Sequence, residues 1–259
     1  MAHGTYIYGI GKLDANLQGG RGGSQVSQIT GIGDATVGEL VHGDLVALTS
    51  ELEIAGKLRP QRKHLAAHQR VLREAGADAT VLPMAFGVVA DDAEGVRTLL
   101  DEHAEALHAE LERVDGCVEM GLKLRWIVEN IFEHFVSEYP DLRERRDEIA
   151  RLGDAAPHDL RVQTGRLFGG ILESERHTHQ SVMLDHLEPI CRDIDRQEPA
   201  DESLAVSLSC LVERDRVSDF EAAVEAAAHD YDERYGFELS GPWAPHSFVQ
   251  LDLSLNGVA

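Results

Sequence analysis

The chain has 259 residues, 43% hydrophobic and 27% charged, enough apolar material for one large or two modest domains. Its 46 acidic residues outnumber 24 basic ones, a formal charge of -22, and only Lys12, Lys57, Lys63 and Lys123 are lysines. Nucleic acid and anionic membrane both need basic patches, so binding to either is disfavoured. Such a charge fits a merely soluble acidic protein, but a carboxylate-rich, lysine-poor surface fits a salt-adapted cytoplasm better. Cys117, Cys191 and Cys210 form no CxxC pair and no metal spacing, and read as reduced cytosolic thiols. Met1-Ala2-His3-Gly4 lacks the basic and apolar regions of a signal peptide, and no apolar run approaches the ~20 residues of a membrane helix.

In chain order, Thr5 to Ile10 is a β-branched and aromatic run, a first strand. Gly19 to Ser24 is a flexible loop without the Gly-Lys-Ser/Thr of a phosphate-cradling loop. Val26 to Ile29 is a possible second strand. Gly31-Ile32-Gly33 turns the chain, and lacks the third glycine and the following helix of a dinucleotide site. Val37–Val41 and Leu45–Ser50 form a hairpin across His42-Gly43-Asp44. Pro60 opens a helix to Ala75, with Gly76 as its stop. His64 and His68 share a face of it, but no third ligand accompanies them, so a solvated face is expected. Thr80 to Val89 reads as an edge strand, with Pro83 near its start, Gly87 at a turn or bulge, and Met84 and Phe86 facing the core. Asp91 and Asp92 load the N-terminus of a helix whose stripe runs from Val96 through His103 to Val114.

Cys117 to Leu124 alternates as a strand. Trp126 to Tyr139 is expected to be an amphipathic helix through Ile127, Ile131 and Phe135, ended by Pro140. A charged helix, Arg143–Leu152, and a long one, Leu160–Ile194, then suggest a projecting helical hairpin. Ser203–Val212 is a clear strand, and Asp215 or Ser218 caps a helix through Phe220, Val224 and Tyr231. Tyr235 to Ser240 is a last strand, followed by the corner Gly241-Pro242-Trp243-Ala244-Pro245-His246-Ser247-Phe248. Two prolines fix this backbone and remove donors, so it cannot be central ladder, and Trp243 is expected to anchor in the core. Leu255 to Ala259 is expected to fray.

Helices alternating with strands in both halves predict an α+β protein, with two ferredoxin-like modules carrying helices on one sheet face and a helical hairpin inserted in the C-terminal half. The boundaries expected are 1–115 and 116–259, the insertion spanning about 140–195.

The corner motif resembles the gas vesicle accessory proteins of the F/L family (GvpF/GvpL). So do the Tyr-Ile-Tyr-Gly-Ile start, with Tyr8 and Gly9, the run Leu82-Pro83-Met84-Ala85-Phe86-Gly87, and Val-Glu-x-Gly-Leu-Lys at 118–123. The resemblance implies a tandem ferredoxin-like architecture, in which the helical stretch Tyr139–Gln180 is longer than expected and reads as a lineage insertion. It implies a cytoplasmic, vesicle-associated protein, here with a halophilic archaeal source. Its implied partners are the small hydrophobic shell protein, kept from aggregating during early assembly, and other accessory proteins. Tyr8, Gly9, Leu82, Pro83, Phe86, Gly87, Gly241, Pro242, Trp243, Pro245 and Phe248 are its candidate structural or partner-contact residues.

An enzyme or ligand-binding module on the same scaffold is the main alternative, since such scaffolds host many functions. Against it, the sequence has no nucleophile elbow, no His-Glu-x-x-His, no phosphate loop and no cysteine cluster, so no catalytic residue, metal or cofactor is expected. A third reading has Leu160–Ile194 docking on a partner helix, although such a stripe more often packs on its own domain. The excess of carboxylates has its own test. Circular dichroism should show the fold loosening in dilute buffer and recovering in molar potassium chloride; a native spectrum without added salt would remove the salt-adaptation reading.

Overall fold

The computed structural model describes residues 2–13, 29–54, 58–77 and 79–251. The loop expected at Gly19–Ser24, most of the strand expected at Val26–Ile29, and the terminal Leu255–Ala259 lie outside them. The chain divides into two compact units. One comprises the described residues of Met1–Met120 with those of Gly241–Ala259; the other is Gly121–Ser240. The single boundary expected is at 115/116; the units part after Met120 and again after Ser240, where the C-terminal segment joins the first unit.

In the first unit the strands are β1 (Ala2–Lys12), β2 (Gly38–His42), β3 (Leu45–Ile54), β4 (Val81–Pro83) and β5 (Val89–Ala90). The sheet runs β2-β3-β1-β4, with β5 also pairing with β1. β2 and β3 form the expected hairpin, Gly38 opposite Thr49. β1 pairs antiparallel with β3, β4 and β5, and a bulge at Tyr8 shifts its register on β3. The run expected as one strand at Thr80–Val89 is thus two short strands, and Met84–Val88 connects them.

Helix α1 (Arg62–Ala75) places Ala67, Val71 and Leu72 in a cluster with Tyr6, Tyr8, Leu48 and Val81. His68 is 1% exposed, so the solvated face expected for it is corrected. The single helix expected from Val96 to Val114 is two, α2 (Ala93–Glu102) and α3 (Ala104–Arg113), separated at His103. The Asp92 carboxylate caps α2, accepting from the amides of Glu94 at 3.0 Å and Gly95 at 2.9 Å.

The second sheet has the order β7-β8-β6-β9. Its strands are β6 (Cys117–Trp126), β7 (Asp193–Arg196), β8 (Leu204–Glu213) and β9 (Tyr235–Trp243). Numbered within each sheet, both follow 2-3-1-4, the order of a split β-α-β arrangement. Between β6 and β7 lie α4 (Ile131–Glu138), α5 (Pro140–Leu152) and α6 (His158–Leu187); α7 (Val217–Ala228) joins β8 to β9.

Several expected limits move here. β6 continues to Trp126, so the following helix begins at Ile131 and Ile127 is 59% exposed. The helix before Pro140 ends at Glu138 as expected, and Pro140 also opens α5 as its first residue, because a first-turn proline forfeits no intrahelical bond. The long helix stops at Leu187, and Ile194 belongs to β7. Arg216, not Asp215 or Ser218, holds the N-cap position of α7 and makes no side-chain cap. β9 continues through Pro242 and Trp243 as the edge strand, where a missing backbone donor is tolerated.

Candidate functional site

The family-motif residues Tyr8, Gly9, Leu82, Pro83, Phe86, Gly87, Gly241, Pro242, Trp243, Pro245 and Phe248 all belong to the first unit. At its centre Tyr6 and Tyr8 are fully buried with ring centroids 4.8 Å apart. A buried phenol must be hydrogen-bonded, and each is bonded twice. His68 Nε2 lies 3.1 Å from the Met84 carbonyl, which only accepts, so in the neutral ring this nitrogen carries the proton. Nδ1 is then the acceptor for the Tyr6 hydroxyl at 2.8 Å, and that oxygen in turn accepts from the Gly87 amide at 3.3 Å. Tyr8 donates to Ser50 Oγ at 3.1 Å and accepts from the Ile32 amide at 2.9 Å; Ser50 passes the chain on to the Thr36 carbonyl. Phe86 completes the cluster 5.9 Å from the His68 ring.

Burial dominates the electrostatics. It pushes both phenols up and, with His246 acting in the same direction, pulls His68 down to about 4. His68 is thus neutral at physiological pH, as the proton placement requires. Gly9 sits where β1, β4 and α1 converge: a Cβ there would lie 2.6 Å from Val81 Cγ1 and 2.8 Å from the Leu82 carbonyl. Its place in the motif has a packing reason.

The proline corner is fixed by contacts of its own. Glu119 accepts from the Ser247 amide at 2.8 Å and the Ser247 hydroxyl at 2.7 Å. Phe248 is 4% exposed, Pro245 is buried, and Ala244 packs against the Tyr6–Tyr8 cluster. Gly241 takes φ 117°, and its Cα approaches so closely that a Cβ would lie 2.8 Å from the Glu119 carbonyl. Trp243, expected in the core, is instead 37% exposed, because Pro245 and Phe248 occupy the buried positions of the corner. Sequence reasoning missed Tyr6, Ser50, His68 and Glu119 as members of this assembly. The available signals were a second tyrosine two residues before Tyr8 and a histidine at helical spacing.

In the second unit a cavity of about 240 Å³ is lined by His134, Phe135, Glu138, Tyr139, Glu175, Arg234 and Tyr235. Several of its polar groups are paired. The Tyr139 hydroxyl donates to Glu175, and Arg234 pairs with Glu138 at 3.0 Å and Asp232 at 2.8 Å. Burial and the Glu175 carboxylate push Tyr139 up to about 12, so it holds its proton at neutral pH. Behind it, buried His179 bonds the Tyr231 hydroxyl through Nδ1 at 3.1 Å. Among the described residues no group of three or more His, Cys, Asp or Glu could hold a metal ion, and no helix is long and apolar enough to cross a membrane.

This pair of sheet-and-helix units falls in the family described as "Gas vesicle synthesis protein GvpL/GvpF", whose model matches residues 4–250. The chain belongs to that family, and its role is that of a gas vesicle accessory protein. It is 31% identical to Gas vesicle protein F of a Streptomyces species, over 95% of this chain and 99% of that protein. It is 25% identical to Gas vesicle protein F of a Nostoc species, over 97% and 100%. The crystal structure of GvpF from an Anabaena species superposes with a TM-score of 0.81 at 24% identity, covering 97% of this chain and 100% of that one. The helical stretch expected between the strands of the C-terminal half is present as α4, α5 and α6. The halophilic archaeal source implied by the resemblance finds no support in these relatives, which come from Streptomyces and Nostoc.

Two outcomes test the cluster. Gly9→Ala should cost about 1–3 kcal/mol by overpacking, read from urea midpoints, whereas an unchanged midpoint would deny the close approach. His68 should give stability a pH slope. Its folded value lies below its ordinary one, so the unfolded chain binds the extra proton and stability falls as pH drops from 6.5 towards 4. The loss should total about 3 kcal/mol and be missing from the slope of His68→Gln.

Proposed function

We propose that this chain is a non-enzymatic, cytoplasmic accessory protein that binds the hydrophobic gas vesicle shell protein and keeps it from aggregating during nucleation and assembly. Family membership supplies the vesicle context. The observation that carries the contact is Trp243, an indole left 37% exposed on a corner whose flanking residues are pinned. Rigid, half-exposed tryptophan is the residue type that most often dominates a protein interface, because it offers a large apolar area at small entropic cost. Val41 on the edge strand β2 and Leu65 on α1 are the other large apolar side chains exposed among the described residues of this unit. A subunit with a dry face aggregates unless that face is covered. The charge of -22 would keep the covered complex dispersed by repulsion. Other accessory proteins are further partners under this reading, while nucleic acid and membrane are not.

The purified chain should delay precipitation of the shell protein and retain it in a pull-down. Trp243→Ala should keep a native circular dichroism spectrum at a stability cost of about 1–2 kcal/mol for the covered part of the indole, and weaken retention by about 2 kcal/mol or more. If the wild-type chain neither delays precipitation nor retains the shell protein, the binding claim is wrong. If only the variant behaves as wild type, the contact lies elsewhere.

A further inference from the structure

Cys191 and Cys210 are far apart in any motif sense but adjacent in the second unit. Cys191 lies in the link between α6 and β7, where its amide donates to the Leu187 carbonyl at 2.9 Å. Cys210 lies on β8, opposite Ile194 of β7. The Arg192 amide, next to Cys191, donates to the Leu211 carbonyl, next to Cys210, at 2.8 Å, so link and strand are joined beside both cysteines, and the Cys210 thiol is the donor to Cys191 sulfur. Cys210 is fully buried, whereas Cys191 is half-buried and within reach of small solutes. Arg216 holds the link from the other side, donating through Nη1 to the carbonyls of Pro189 at 3.4 Å and Ile190 at 3.2 Å. Its positive charge therefore stands beside Cys191. The hydrogen bond from Cys210 and then the Arg216 charge favour the Cys191 thiolate over the opposing effect of burial, and hold this thiol below its ordinary range.

We propose that Cys191 and Cys210 form a modification site, a thiol pair that hydroperoxides oxidise to an intramolecular disulfide. The geometry supplies both partners. Cys191 is the accessible sulfur in an electropositive setting, the pattern of a peroxide-sensitive cysteine, and Cys210 is the resolving thiol already in contact with it. With hydrogen peroxide as oxidant, the Cys191 thiolate attacks one oxygen. The O–O bond breaks, and the departing hydroxide takes a proton to become water, leaving Cys191 as a sulfenic acid. Cys210 sulfur then attacks Cys191 Sγ; the S–O bond breaks, and the second water leaves with the Cys210 proton. Two thiols lose two electrons, and one peroxide gains them. The backbone bond between Arg192 and Leu211 already holds the two cysteine-bearing segments side by side, so closure asks for side-chain movement. The bond would fasten the end of α6 to β8 and constrain the unfolded chain.

The test uses the full chain, dilute, treated with hydrogen peroxide, alkylated in denaturant and mapped by mass spectrometry without reduction. The expected result is a peptide linking Cys191 to Cys210 that dithiothreitol opens, with Cys117 of β6 still alkylated. The linkage should be lost in Cys191→Ser, whose Cys210 should then alkylate, while circular dichroism stays native. Sulfinic acid at Cys191 without a linked peptide, linkage between two chains only, or alkylation of both thiols after peroxide would each overturn the proposal.

Discussion

Two tyrosines buried on one strand impose the constraint from which the first unit follows. A phenol removed from water must find partners within the protein, and Tyr6 and Tyr8 find four: His68, Ser50 and the amides of Ile32 and Gly87. Those partners come from α1, β3, the turn after residue 29 and the connection between β4 and β5. Each element is thus held by a directional bond as well as by apolar contact, and the satisfied network specifies one arrangement. Two of the motif segments are threads of this network, which explains residues such as Gly9 and Gly87 without any chemistry at a reacting centre. The C-terminal corner reaches the same cluster through Ala244 and is tied to β6 by Ser247 and Glu119.

Much of the fold was legible because local periodicity decides it. The β2–β3 hairpin, the strands β6 and β8, and the helices α1 and α7 follow from alternation or helical stripes. The strand orders were not legible, since β1 lies between β3 and β4 through pairings that no local pattern encodes. Some errors had a readable cause. Ile190 and Ile194 continue the helical stripe, but Pro189 between Glu188 and Ile190 disfavours that continuation, and the chain leaves for β7. Pro140 both follows the end of α4 and opens α5, and the sequence reading shows only the first of these roles.

The candidate site was half legible for a different reason. Spacing shows which residues share a helix face but not which face is buried, so His68 read as solvated when it is the acceptor for Tyr6. Aromatic size argued that Trp243 is core, yet Pro245 and Phe248 fill the buried positions and leave the indole at the surface. That reversal matters for function. Under the proposed function, an indole exposed at the corner is the side chain that would meet an apolar partner.

Trp126 is 2% exposed and Trp243 is 37% exposed, so a collisional quencher in solution reaches essentially one of the two indoles. Acrylamide quenching of the chain's fluorescence, with and without tryptophan-free shell protein, therefore reports on the proposed contact directly. If the corner seats the shell protein, the quenchable fraction disappears as the complex forms. Quenching that stays unchanged while the complex forms would contradict this seat for the partner.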